Sequence, residues 1–345
     1  MMRERVAGIA LGVNAGWSGK RSSLGWCTGM IVAALVAGAS TIASAADDPR
    51  STPTQTATST ATAAATTLLT NPWLWINLAA VALVLGVMWM ADVIRPRSLS
   101  RHGIRDVSPY PWWIWVVAAV ITLVGTTLGQ SFAALGLGIT TAPTATRELA
   151  IIGVASYSTG IIVATVIAWL IHGSAPFAGF RPTWRGAMLG VLGAVLAWPV
   201  VTATGMILVA AHELWTGQPV PRLAHATLER VVAGTLDPWT MVLIGCAVIG
   251  APILEELMYR GFVQSGILRA TGRAWLSVLA ASIFFGLMHV AGGAGMPWYA
   301  VAVVTVLSIC MGAAFERTRD ISTPLVMHIL FNAGNVAMAL LATGK

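Results

Sequence analysis

Six side chains in a strongly apolar chain have the types and spacing for hydrolytic chemistry: Glu255, Glu256, Arg260, His289, His328 and Asn332. The first three lie in Glu255-Glu256-Leu257-Met258-Tyr259-Arg260, directly after the apolar run Met241 to Leu254. A charged group at membrane depth costs about 2.5–3.5 kcal/mol on insertion scales. Two acids and a guanidinium are therefore expected to face a protein interior or a wet cavity and to find partners there. On one helix Glu256 and Arg260 stand at i and i+4 and can pair, while Glu255 points about 100° away and stays free. Further along, Phe285 precedes His289 by one turn, and His328 and Asn332 share one helix face at i and i+4.

Two chemistries suit this set. Glu255, His289 and His328 form a His₂Glu group of the kind that holds a divalent metal, Zn²⁺ by ligand type, with an open position for water. The metal would lower the pKa of that water toward about 7, a second acid could take the proton, and Asn332 could donate to an oxyanion. Without a metal, Glu255 and His289 can activate water while His328 and Asn332 stabilise the tetrahedral intermediate. Each pair alone is commonplace, since intramembrane histidines and Glu–Arg pairs often do no more than hold helices together. Their joint occurrence on three helices is what points to chemistry. HExxH is absent, because His212-Glu213 is followed by Thr216, and no GxSxG elbow is present. Gly292-Gly293-Ala294-Gly295 lacks the lysine of a phosphate loop.

The elements that must position these groups are membrane helices. Of 345 residues 57% are hydrophobic and 10% charged, far from the roughly 25% charged of soluble domains, so the fold class expected is an all-α polytopic transmembrane bundle. Eight apolar segments fall at about 73–93, 112–134, 149–171, 187–211, 239–262, 274–291, 298–315 and 321–342. The net charge of +7 follows the positive-inside pattern and does not suggest nucleic acid. Arg95, Arg97, Arg101 and Arg105 lie in the first loop, Arg181 and Arg185 in the third, Arg260, Arg269 and Arg273 at the fifth, and these loops are assigned to the cytoplasm. Trp73, Trp75, Trp112, Trp113 and Trp115 read as interfacial anchors. Pro199 is expected to kink the fourth segment, and Gly186, Gly190 and Gly193 to allow close helix packing. Cys27, Cys246 and Cys310 form no CxxC pair and suggest neither a disulfide framework nor a thiolate site.

Residues 1–46 read as a signal peptide, with Ala43-Ser44-Ala45 as a cleavage site, or as an uncleaved signal anchor. Residues 47–71, rich in Thr and Ala, form an extracytoplasmic linker with no burying face. Transmembrane helices over 72–186 would then precede those over 187–342 that carry the six polar residues.

Residue counts along the helices set the depth of the site. The fifth and sixth segments turn near Thr271-Gly272, with Glu255 16 residues before the turn and His289 17 after it, so the two meet at one level. His328, eight residues past Asp320, reaches that level only if this hairpin projects into the cytoplasm by a few turns.

The ordered set Glu255-Glu256-x-x-x-Arg260, Phe285-x-x-x-His289 and His328-x-x-x-Asn332 resembles the CAAX-protease and bacteriocin-processing superfamily, which includes type II CAAX prenyl endopeptidases. The resemblance covers about residues 187–342. It implies an intramembrane, metal-dependent endopeptidase on a helical bundle, acting on a membrane-associated peptide or protein. Glu255 with His289 would activate water, Glu256 with Arg260 would support the site and bind substrate, and His328 with Asn332 would serve the oxyanion or the metal. Together with the signal-like start, it implies a multi-pass protein of a bacterial inner (plasma) membrane, with the lipid bilayer as its surroundings. Two other readings compete: a non-catalytic immunity or scaffold protein that binds a peptide in the same cavity, and a proton-coupled transporter. Retention of every motif residue favours the enzyme over the scaffold. The lack of repeat symmetry counts against the transporter.

Overall fold

The computed structural model describes residues 70–95, 97–100, 104–140, 143, 145–218, 220, 234–291 and 296–342. The expected signal segment 1–46 and nearly all of the linker 47–71 lie outside the described residues. So do His102, His225 and the glycine-rich stretch 292–295.

The described chain is all α and spans the membrane several times. Its helices are α1 (Pro72–Met90), α2 (Trp112–Gly136), α3 (Thr146–Ser174), α4 (Trp184–Thr216), α5 (Pro238–Thr271), α6 (Ala274–Ala291), α7 (Trp298–Thr318) and α8 (Ser322–Leu341). All except α6 are long and apolar enough to cross a bilayer. The apolar stretch of α6, Ala274–Val290, is the shorter one. The eight expected segments are thus the eight helices found.

Local chemistry sets the helix ends. Asn71 accepts the Trp73 N–H ahead of Pro72 at 3.0 Å, and Thr183 Oγ1 accepts the Gly186 N–H at the start of α4. Asp237 accepts the Thr240 N–H at 2.7 Å ahead of Pro238, a bond that holds its carboxyl below the usual carboxylate range. Gly217 and Gly272 close α4 and α5 in the left-handed conformation, at φ 67° and 66°.

Helix α5 is the axis of the bundle. It packs on α2, α3, α6, α7 and α8, while α4 lies against α7 and α8. Among the described residues helix α1 packs on α4 and has Leu74 as its buried residue, and its exposed apolar side chains suit contact with lipid. Gly190 and Gly193 let α4 and α8 approach closely. A Cβ on Gly190 would stand 2.7 Å from the Thr323 carbonyl oxygen, and one on Gly193 2.7 Å from Met327 Sδ. Gly190→Val should therefore lower the stability of the detergent-solubilised protein by about 1–3 kcal/mol, the usual cost of overpacking. Gly245→Ala, where a Cβ meets nothing within 4 Å, should not. Equal thermal midpoints for the two variants would refute the close-packing account.

Two features depart from the sequence reading. First, α5 is not a regular α-helix: Cys246–Gly250 and Glu256–Gln264 are wound as π-helix. Pro252 accounts for the first of these. Its ring would clash with the carbonyl of Val248 in an α turn, and it has no N–H to give. The Ala251 N–H bonds to Cys246 O, five residues back, so Ala247 O is left facing the position of Pro252 with no backbone donor.

Second, residues assigned to loop and interface are interior. Arg105, counted among the cytoplasmic loop charges, is buried against Glu316, which belongs to the last turn of α7 and not to a loop. Trp115, expected as an interfacial anchor, is fully buried and stacks on Phe180 at 6.2 Å. It faces inward because Gly266 opens room for it on α5. Trp112 and Trp113, by contrast, are exposed as anchors should be. Pro199 lies inside α4, which continues through it from Trp184 to Thr216.

Candidate active site

The middle of α5 carries the acids into the bundle interior. Glu255, Glu256 and Arg260 are buried, as are His289 near the end of α6 and His328 and Asn332 on α8. The structure links these side chains through one carboxylate and one ring.

The carboxylate is Glu256. Its Oε2 stands 3.0 Å from Arg260 Nε, and its Oε1 accepts from His328 Nδ1 at 2.9 Å. Both partners are sealed from solvent, so attraction between the charges is little screened. This bond also sets the His328 tautomer. With the proton on Nδ1, Nε2 is left pointing toward Glu255, whose Oε2 lies 3.9 Å away. Neither Glu255 Oε2 nor His328 Nε2 has a hydrogen-bond partner among the described residues.

The ring is Phe285. It contacts Tyr259 edge-on at 4.9 Å, Arg260 across its face at 5.4 Å, His289 at 4.6 Å and His328 at 6.1 Å between centroids. The Phe285 carbonyl accepts the His289 Nδ1–H at 2.8 Å, which leaves His289 Nε2 as that imidazole's acceptor. Both histidines thus have the Nδ1–H tautomer fixed by a neighbour. The sequence marks Phe285 only as an aromatic one turn before His289; its place between both histidines and the arginine depends on tertiary packing.

Asn332 is tied to the break in α5. Its Nδ2 donates to Ala247 O at 2.9 Å, the carbonyl that the π winding and Pro252 leave without a backbone partner. One amide hydrogen is used this way; the other remains available, and Oδ1 has no hydrogen-bond partner among the described residues.

Metal binding can be tested on the residues themselves. Among the described residues no three His, Cys, Asp or Glu side chains are grouped closely enough to hold a metal ion. The sequence-derived set of Glu255, His289 and His328 is therefore not gathered as a ligand shell.

Because His328 Nδ1 bonds Glu256, the two residues share a level, although Glu256 lies farther from its helix end at Thr271 than His328 does from Ile321. The α5–α6 hairpin then extends beyond the adjoining ends of α7 and α8.

Among known families, residues 237–334 match the one described as "Rce1-like: Type II CAAX prenyl endopeptidase Rce1-like". This segment of the chain is similar to that family. It begins at Asp237, the cap of α5, and runs to Gly334 on α8, so it holds all six residues described above. The Rce1-like segment coincides with the helices that build the site, and the residues before it fall outside the match. No curated protein and no solved structure matches the chain.

Proposed function

We propose that this chain is an intramembrane endopeptidase that cuts a membrane-associated peptide or protein, with Glu255 as the base that activates water. The observation that carries the reading is the division of labour between adjacent acids. Glu256 stands 3.0 Å from Arg260 Nε and bonds His328 Nδ1 at 2.9 Å, while Glu255 Oε2 lies 3.9 Å from His328 Nε2, outside hydrogen-bond reach. A structural pair needs no second acid at the same depth with an open oxygen, and a buried group left open is expensive.

In the proposed reaction a water held between Glu255 and His289 Nε2 attacks the scissile carbonyl carbon. Glu255 takes its proton, and the carbonyl electrons move onto oxygen. His328, donating from Nε2 when that nitrogen is protonated, and the second hydrogen of Asn332 Nδ2 stabilise the oxyanion. Collapse of the intermediate breaks the C–N bond, and the leaving amine takes the proton from Glu255. Glu256 orients His328 and compensates its charge, and Arg260 does the same for Glu256. A cell-membrane location fits the multi-pass fold, and the bacterial inner membrane is the proposed one because of the signal-like start.

Comparing peptide fragments by mass spectrometry, from liposomes with and without the protein, tests the reading directly. New fragments are expected. Peptide retained uncut would favour a binding scaffold, and proton flux without cleavage a transporter. Because no three-ligand set is gathered, cleavage should also survive a large excess of EDTA or phenanthroline. Loss of cleavage on chelation, restored by Zn²⁺, would replace this mechanism with one in which Glu255, His289 and His328 close on a metal.

A further inference from the structure

Asn335 is a buried amide that the reaction above does not use. It is 1% exposed, and neither its Nδ2 nor its Oδ1 has a hydrogen-bond partner among the described residues. Interiors pair the great majority of such groups, because an amide stripped of water without a replacement bond is destabilising. Both ends of this one are open.

The contacts of its neighbours fix where it points. One turn before it, Phe331 packs on Trp198 of α4 at 5.8 Å, and Gly334 lies under the same indole. Asn332 bonds Ala247 of α5, and Val336 packs with Ile244 and Val248 of α5. Asn335 falls between the α4-facing and α5-facing positions. At 100° per residue it lies within about 20° of the direction of His328, two turns away. His328, Asn332 and Asn335 therefore form one polar stripe on α8, directed into the bundle. Its unpartnered atoms are His328 Nε2, Asn332 Oδ1 and both ends of the Asn335 amide.

We propose that Asn335 is a substrate-binding residue whose side-chain amide pairs with the backbone N–H and C=O of an extended peptide, one turn of α8 beyond the site at His328 and Asn332. This rests on the endopeptidase reading and extends it. The chemistry is that of a β-bridge, with Nδ2–H donating to a peptide carbonyl and Oδ1 accepting from a peptide N–H. The spacing suits it. Seven residues of helix separate Asn335 from His328, about 10 Å, which an extended peptide covers in roughly three residues. The clamp would hold the substrate backbone about three residues from the scissile bond, on the side away from the α5–α6 hairpin. Recognition is of the backbone, so it is independent of substrate side chains.

The test uses a labelled synthetic Leu/Ala transmembrane peptide in nanodiscs, since backbone recognition makes its sequence immaterial. Its dissociation constant is measured for the full-length Glu255→Gln protein and for the same protein carrying Asn335→Ala. Binding should weaken roughly tenfold on loss of the two hydrogen bonds. N-methylation of the peptide backbone, scanned along its length, should find one position that weakens binding to the Asn335 protein and has no effect on the Asn335→Ala protein. With no partner lost in the empty protein, Asn335→Ala should leave the thermal midpoint unchanged or raised. A fall of several degrees without peptide would mean that Asn335 is bonded to structural water, and would overturn the proposal. So would unchanged affinity, absence of any N-methyl position that depends on Asn335, or failure of the peptide to bind. A protein that binds in this Asn335-dependent way yet never cuts would sink the endopeptidase reading and leave the clamp standing. One that cuts, with affinity indifferent to Asn335, would do the reverse.

Discussion

Glu255→Gln is expected to lower peptide cleavage in reconstituted liposomes by about 10²–10⁴-fold, the range for losing a positioned general base, while the protein stays folded. The substitution keeps the shape of the side chain and removes the charge and the proton-accepting oxygen. Stability should hold because Glu255 Oε2 has no hydrogen-bond partner among the described residues, and His328 Nε2 lies 3.9 Å from it. Glu256→Gln supplies the contrast. That carboxylate joins Arg260 and His328, so its loss leaves a buried guanidinium uncompensated and frees the His328 ring. Both variants should be inactive, but only Glu256→Gln should also unfold earlier on heating. Fragment counts by mass spectrometry and thermal midpoints in detergent separate the two roles. Cleavage that persists in Glu255→Gln would remove Glu255 from the base position. Equal loss of stability in both variants would mean that the acids form one structural pair.

The sequence made the frame legible because membrane helices are written in long apolar runs, and the described helices fall where those runs lie. It also singled out the six polar residues, since charge and imidazole at membrane depth demand partners wherever they occur. The pairing of Glu256 with Arg260 followed from i, i+4 spacing. What spacing could not show was the winding of α5. Pro252 was visible inside an apolar run, but its consequence depends on a distant side chain, Asn332, that takes up the carbonyl of Ala247. The metal set shows the limit from the other side. Glu255, His289 and His328 have ligand chemistry by type, but whether they gather is a matter of ångströms between helices, which composition does not encode. Asn335 stood in plain view three residues after Asn332; what marks it out is the lack of a partner, a property of the packed structure. Charge counting failed at Arg105 for a related reason, because a loop arginine and an acid more than two hundred residues away give no local sign that they will be buried together.

That pair supports the second large expected effect. Arg105→Ala should destabilise the folded protein by about 3–5 kcal/mol, the cost of breaking a buried ion pair by removing one partner. Arg105 Nη2 donates to Glu316 Oε1 at 2.7 Å and Nε to Oε2 at 3.1 Å, while Nη1 donates to Ala178 O at 2.6 Å and Ser265 Oγ at 2.9 Å. Its guanidinium also lies 4.2 Å from the Phe315 ring. Glu316 takes a further bond from Gln264 Nε2 at 2.8 Å, at the end of the second π stretch of α5. In Arg105→Ala the Glu316 carboxylate would keep one neutral donor in a sealed pocket, and the loop before α2 would lose its attachment to the α3–α4 loop, α5 and α7. Replacing both charges, as Arg105→Met with Glu316→Leu, should restore much of the loss, because apolar side chains of similar volume avoid the desolvation that the pair must offset. The cluster bears on the site through the backbone: Ser265 Oγ, which accepts from Arg105, also donates to the Arg260 carbonyl at 3.4 Å. Activity should therefore fall in Arg105→Ala roughly as the folded fraction falls, and return in the double variant. Unfolding in denaturing detergent, followed with peptide cleavage on the same samples, measures both. A single variant as stable as the parent would show that the pair is solvated and contributes little. A stable double variant without activity would show that the charges themselves, and not the packing they maintain, are needed at the site.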